Sequence, residues 1–98
     1  MLVVRIKPRA ARQISKAAEW WTENRPSAPG AIRKDLESAL ALLVTEPGIG
    51  TKVETSRPQT VRRLYLGRVR YFIYYRVSAQ FLEVVAFWHE RREQGPLV

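Results

Sequence analysis

His89-Glu90-Arg91-Arg92 joins the only histidine of the chain to two arginines, directly after the run Phe81–Trp88, apolar but for Glu83. A second cationic tract lies upstream. No acidic side chain occurs between Glu54 and Glu83, and Arg57, Arg62, Arg63, Arg68, Arg70 and Arg76 all fall in that interval. An imidazole that titrates near neutrality, among guanidiniums that fork onto phosphates, could perform general acid–base cleavage of RNA. The same residues could also hold a polyanion or an acidic protein without cutting anything. A lone histidine at a strand end more often makes a local hydrogen bond than serves a reaction, so residue types alone leave both readings open.

Other chemistries have no support. There is no cysteine, hence no disulfide and no thiolate. Neither a Gly-x-Gly-x-x-Gly run nor a P-loop appears, so nucleotide binding has no motif. One histidine and scattered acids do not assemble a metal site, and nothing places a serine beside His89 for a hydrolase triad. No cofactor and no metal are expected.

The 98 residues are enough for a single domain, 1–98, with one core. Ten aromatics and 46% hydrophobic residues fit a globular fold. The net charge of +8 favours an anionic partner. The apolar run that opens the chain is broken by Arg5 and Lys7. It is too short for a signal peptide, and nothing approaches the ~20 apolar residues of a membrane span. A cytoplasmic protein without a membrane partner is expected.

Periodicity supplies the elements that must position the charged residues. Leu2–Ile6 reads as a strand. Pro8 suits the first turn of a helix, and Ala10, Ile14, Ala17, Ala18 and Trp21 then recur on one face. Asn24-Arg25-Pro26 ends it. Trp20 and Trp21 are consecutive and cannot share a helix face; Trp21 is expected in the core and Trp20 partly exposed. Ile32, Leu36, Ala39, Leu40 and Leu43 mark a second helix, stopped by Pro47-Gly48. The short link makes the two an antiparallel hairpin. A loop over 47–59 follows, with a short extended piece at Lys52–Glu54.

Three strands close the chain: Thr60–Leu66, Val69–Val77 across a Gly67-Arg68 turn, and Phe81–His89. Simple alternation puts Tyr71, Ile73, Tyr75 and Val77 toward the helices, and Arg70, Phe72, Tyr74 and Arg76 outward. In the last strand it pairs Leu82, Val84, Ala86 and Trp88 on one face, and Phe81, Glu83, Val85, Phe87 and His89 on the other. Both sets are largely apolar, as in a central strand covered on both sides. The order β-α-α-β-β-β gives an α+β domain: a helical hairpin on one face of a small, mainly antiparallel sheet, the other face partly open and lined with arginine and aromatic residues.

The runs LALLVTEPGIG, VRRLYL, VRYFIYYRV and LEVVAFWHERRE, in this order and spacing, resemble the RelE/ParE superfamily of toxins from type II toxin–antitoxin systems. The likeness extends from about Ile14 to Pro96. It implies a growth-inhibiting protein neutralised by a cognate antitoxin. RelE-like members cleave mRNA in the ribosome; ParE-like members are thought to poison DNA gyrase and are not nucleases. The nucleases carry an arginine for the scissile phosphate at the position of Phe72 in Tyr71-Phe72-Ile73-Tyr74-Tyr75. They commonly place a tyrosine near the C-terminus, whereas no tyrosine follows Tyr75 here. Their lysines before the second strand are replaced by Thr60 and Val61. His89-Glu90-Arg91-Arg92 is similar to the His-x-Arg-Arg ending of ParE-like sequences, and Arg62 matches the arginine that opens the second strand in both branches.

The expected protein is therefore a ParE-like toxin, not an enzyme, that poisons DNA gyrase and contributes to plasmid stabilization. A RelE-like endoribonuclease is the alternative. Arg63, Arg70, Tyr74, Arg76, His89, Arg91 and Arg92 are the candidate toxicity surface. Ile14, Trp20, Trp21, Leu36 and Leu40 are the candidate contacts of an acidic antitoxin. Nucleic acid would be met only through the antitoxin or gyrase.

Overall fold

Five strands and two helices make up the computed structural model, which describes residues 1–98. The short β-rich run at the start forms β1 (Val3–Ile6). Pro8 then opens α1 (Pro8–Asn24), where its missing N–H has no helical partner to lose. Arg25-Pro26 ends it, and α2 (Ala31–Leu43) returns along the first helix. A 3-10 turn at Pro47–Ile49 leads into β2 (Thr51–Val53), the extended piece expected in the loop. The hairpin strands are β3 (Val61–Leu66), β4 (Tyr71–Ser78) and β5 (Phe81–His89). Their order across the sheet is β1-β5-β4-β3-β2, with only β1–β5 parallel. No helix is long and apolar enough to cross a membrane.

The main core lies between the helical hairpin and one sheet face. Ile14 and Ala17 of α1 and Ile32, Leu36 and Leu43 of α2 meet Ile73, Tyr75, Leu82, Val84 and Phe87. The opposite face carries a smaller cluster of Val61, Tyr74, Val85 and Ala86, against which Phe72, Trp88 and Val98 pack. The end of the chain thus folds back over part of the open face. There the Trp88 Nε1–H donates to the Gln94 carbonyl at 2.7 Å.

Two departures from simple alternation decide where the functional side chains point. The first is the β3–β4 connection. It is a four-residue turn, Gly67 to Arg70, closing the Leu66↔Tyr71 pair, and not a two-residue Gly67-Arg68 turn. Val69 is only 1% exposed, and burying it draws the chain inward before the strand begins. Arg70 therefore belongs to the turn, at φ 64, and not to the outward face of β4.

The second departure is a β-bulge. Tyr74 pairs with Ala86 but Tyr75 pairs with Val84, leaving Val85 as the extra residue of β5. One extra residue inverts the alternation beyond it. Phe87 consequently joins the helix-side core, while Ala86 and Trp88 turn to the open face. His89 goes with Phe87, not with Glu83. The first helix satisfies the peptide groups freed here, past the end of β1. Arg9 Nε and Nη2 donate to the Val85 carbonyl at 3.3 and 3.1 Å, and the Phe87 N–H donates to Gln13 Oε1 at 2.8 Å. Arg9 and Gln13 are four residues apart and so share one helix face.

The β4–β5 hairpin has a two-residue turn, Ala79-Gln80, between the paired Ser78 and Phe81. Ala79 sits at φ 53, where a Cβ costs roughly 1–2 kcal/mol. Ala79→Gly is expected to raise the unfolding midpoint by about 4–8 °C per kcal/mol recovered, read by calorimetry.

Candidate functional site

The sequence-derived candidates fall into two groups on opposite sides of the sheet. On the open face, Arg63 of β3 stands opposite Tyr74 of β4 and donates to its hydroxyl at 3.3 Å. Its guanidinium lies over the Phe72 ring, 4.2 Å from the centroid. Phe72 in turn packs on Tyr65 at 5.0 Å and faces Trp88 across the β4–β5 pair. Arg92 covers Trp88 at 4.1 Å. The result is two guanidiniums laid on neighbouring aromatic rings; Tyr74, expected on the exposed surface, is instead only 3% exposed, packed with Val61, Val85 and Ala86.

Arg76 shares this face but is not free. Its Nε donates to Glu83 Oε1 at 2.8 Å, and Arg5 Nη1 and Lys7 Nζ approach Glu83 Oε2 at 3.6 and 3.8 Å. The Glu83 side chain is only 7% exposed. The hydrogen bond from Arg76, reinforced by the charges of all three cations, holds its carboxyl below the usual range. Arg62 is also structural: it donates to the Gly50 carbonyl at 2.8 Å.

The other group surrounds a cleft of about 590 Å³ behind the sheet, where α1 ends. Trp20, Trp21 and Arg25 come from the end of the first helix. Arg68 and Arg70 come from the β3–β4 turn, and His89 and Arg91 from the end of β5. His89 Nδ1 accepts the Arg91 backbone N–H at 3.1 Å, and the imidazole meets the Tyr71 ring edge-on at 4.9 Å. Arg70 is tied to Glu90 at 3.3 Å, and Glu90 also accepts from the Tyr65 hydroxyl at 2.7 Å. That hydrogen bond lowers the pKa of Glu90 and raises that of Tyr65. Burial raises Tyr71 and Tyr75 as well.

The bulge thus separates the imidazole from Arg63, Tyr74 and Arg76. No group of three or more His, Asp or Glu side chains is placed to hold a metal. Of the candidate antitoxin contacts, Trp20 is 47% exposed, while Trp21 and Leu40 are partly buried against the core. Ile14 and Leu36 are only 4% and 6% exposed and belong to the core itself. Arg25 showed in the sequence only as part of a helix stop, and Arg68 only as one member of the arginine tract. Only the fold brings them to His89, from elements far apart in the chain.

A sequence profile described as "ParE toxin of type II toxin-antitoxin system, parDE" matches residues 4–94. The chain belongs to this family of ParE toxins. Its fold is similar to a solved chain of the "Chromosomal ParDE TA system from P. aeruginosa", at TM-score 0.73 and 17% identity over 91% of this chain and 96% of that one. It is also similar to the "isolated E. coli RelE toxin", at TM-score 0.66 and 18% identity over 95% and 89%. Comparison with curated proteins finds no match.

Proposed function

We propose that this toxin inhibits growth by binding and poisoning DNA gyrase, without a reaction of its own, and that a cognate antitoxin neutralises it. The observation that carries this reading is the separation of the groups RNA cleavage would need. The open face has Phe72 where a phosphate-binding arginine would act, and an apolar ring cannot stabilise the charge of a phosphorane. Arg76 is engaged by Glu83, and His89 faces the opposite cleft. Tyr65, Tyr71 and Tyr75 have raised pKa values and supply no phenolate near neutrality.

Gyrase would be contacted through Arg63 and Arg92 on the open face, together with the His89–Arg92 end of the chain. Purified toxin is expected to block supercoiling or to trap gyrase on cleaved DNA, with the effect falling at least about tenfold in an Arg63→Ala/Arg92→Ala protein. Undiminished supercoiling at saturating toxin would refute this. One observation favours the RelE-like alternative: Arg63 keeps a guanidinium on the open face beside Tyr74. A translation extract separates the two. Codon-phased mRNA cuts that disappear with Arg63→Ala or His89→Ala would establish an endoribonuclease.

The antitoxin is proposed to lay an acidic helix across the α1–α2 hairpin and a further segment along the open sheet face. Trp20 supplies the exposed aromatic anchor on the hairpin. Trp20→Glu is expected to weaken the complex by at least about tenfold in a calorimetric titration. Unchanged affinity would move the contact off this face.

A further inference from the structure

We propose that the cleft at the end of α1 binds a phosphate monoester carried on a flat ring, the chemistry of a nucleotide. Four guanidiniums line it, those of Arg25, Arg68, Arg70 and Arg91, beside the indoles of Trp20 and Trp21 and the His89 imidazole. No carboxylate lines it. Asp35 neutralises Arg68, and Glu90 neutralises Arg70, both from outside the lining. Arg25 and Arg91 have no such partner, so two positive charges are left uncompensated. A phosphate monoester, with a charge of about −1.5 to −2 near neutrality, matches that excess, whereas a single carboxylate leaves one guanidinium unpaired.

The aromatic walls and the volume of the cleft limit the shape of the ligand. The Trp20 and Trp21 rings meet edge-to-face with centroids 6.1 Å apart, so they present differently oriented aromatic walls. The Nε1–H of Trp21 is buried without an acceptor. In addition, the Nδ1 of His89 is occupied by the Arg91 N–H, which leaves only Nε2 to meet a ligand. The volume of about 590 Å³ lies in the range of small-molecule sites and holds a ring as well as a phosphate. Neither gyrase binding nor the antitoxin is needed for this assignment.

The test titrates the full-length toxin with adenosine monophosphate, adenosine and inorganic phosphate separately, followed by calorimetry and tryptophan fluorescence. Saturable binding of the monophosphate is expected, at least about tenfold tighter than either fragment. Affinity should fall at least about tenfold in Arg25→Gln/Arg91→Gln, which removes no internal ion pair and should keep the wild-type circular dichroism. Trp20→Ala is expected to weaken the monophosphate while sparing inorganic phosphate. A 5′-phosphorylated single-stranded oligonucleotide that binds more tightly than the monophosphate identifies a strand end as the source; equal or weaker binding identifies a free nucleotide. The assignment is overturned by absence of saturable binding at millimolar monophosphate, by inorganic phosphate binding equally well, or by full affinity in the double variant.

Discussion

Glu83→Gln is expected to cost about 3 kcal/mol, the low end for removing one partner of a buried ion pair. The carboxylate is nearly covered, and it receives one hydrogen bond from Arg76 and two longer approaches from Arg5 and Lys7. Glutamine keeps the volume but removes the charge. Three cations, two from β1 and its end and one from β4, then face one another, and only Arg5 and Lys7 are exposed enough to be rehydrated readily. The unfolding midpoint should fall by roughly 12–24 °C in calorimetry. In a double-mutant cycle, adding Arg76→Gln should recover part of the loss, because the uncompensated guanidinium leaves with its partner. Purely additive losses would show that the ion cluster contributes nothing.

The same cluster sets a pH signature. A carboxyl whose pKa is lower in the folded than in the unfolded chain binds protons more readily when unfolded. Its contribution is complete above the unfolded-state value, near about 4.3, and is lost as pH falls through the folded-state value below it. Glu90 shifts in the same direction through its hydrogen bond from Tyr65. The wild-type midpoint is therefore expected to drop steeply below about pH 4, and the Glu83→Gln midpoint to drop less over the same interval. Parallel curves would assign the acid sensitivity to other groups.

Most of the architecture is legible in periodicity because the helices and strands are amphipathic. Ile14, Ile32 and Leu36 mark helix faces that are buried as the pattern requires, and the mainly antiparallel order follows from the short connections. The site is less legible, for two local reasons. Strand alternation assumes one residue per pairing step, and the extra Val85 breaks that assumption four residues before His89. Nothing within β5 announces the bulge, because Val85 and Ala86 are both acceptable on either face. Its support comes from Arg9 and Gln13, some seventy residues away. The Gly67-Arg68 pair has the composition of a tight turn, but burial of Val69 lengthens it and carries Arg70 out of the strand. Charge counting also could not separate a free arginine from one already engaged. Arg76 and Arg63 look alike in the chain, yet one is spent on Glu83 and the other rests on the partly buried Phe72 ring.

Gly50→Ala is expected to destabilise by about 3 kcal/mol, at the upper end for overpacking a well-filled site. A Cβ added there would run into Tyr75 Oη and stand 2.9 Å from the Arg63 carbonyl oxygen. Neither can retreat cheaply. The Tyr75 hydroxyl donates to the Pro47 carbonyl at 2.6 Å and accepts the Gly50 N–H at 3.0 Å, so one phenol fastens the whole 3-10 turn to the sheet. Arg63 O belongs to the β3 backbone, and moving it disturbs the register that sets Arg63 beside Tyr74. The substitution should therefore lower the midpoint by about 12–24 °C and also weaken whatever the open face binds. Gly48→Ala is the control: it lies in the same turn, a Cβ there meets nothing within 4 Å, and no comparable loss is expected. Adding Tyr75→Phe to Gly50→Ala removes the hydroxyl clash but leaves the ring Cε1 and the Arg63 carbonyl, each 2.9 Å from the new Cβ, and the Pro47 carbonyl without its donor. Rescue should thus be partial, and full rescue would locate the strain in the phenol alone.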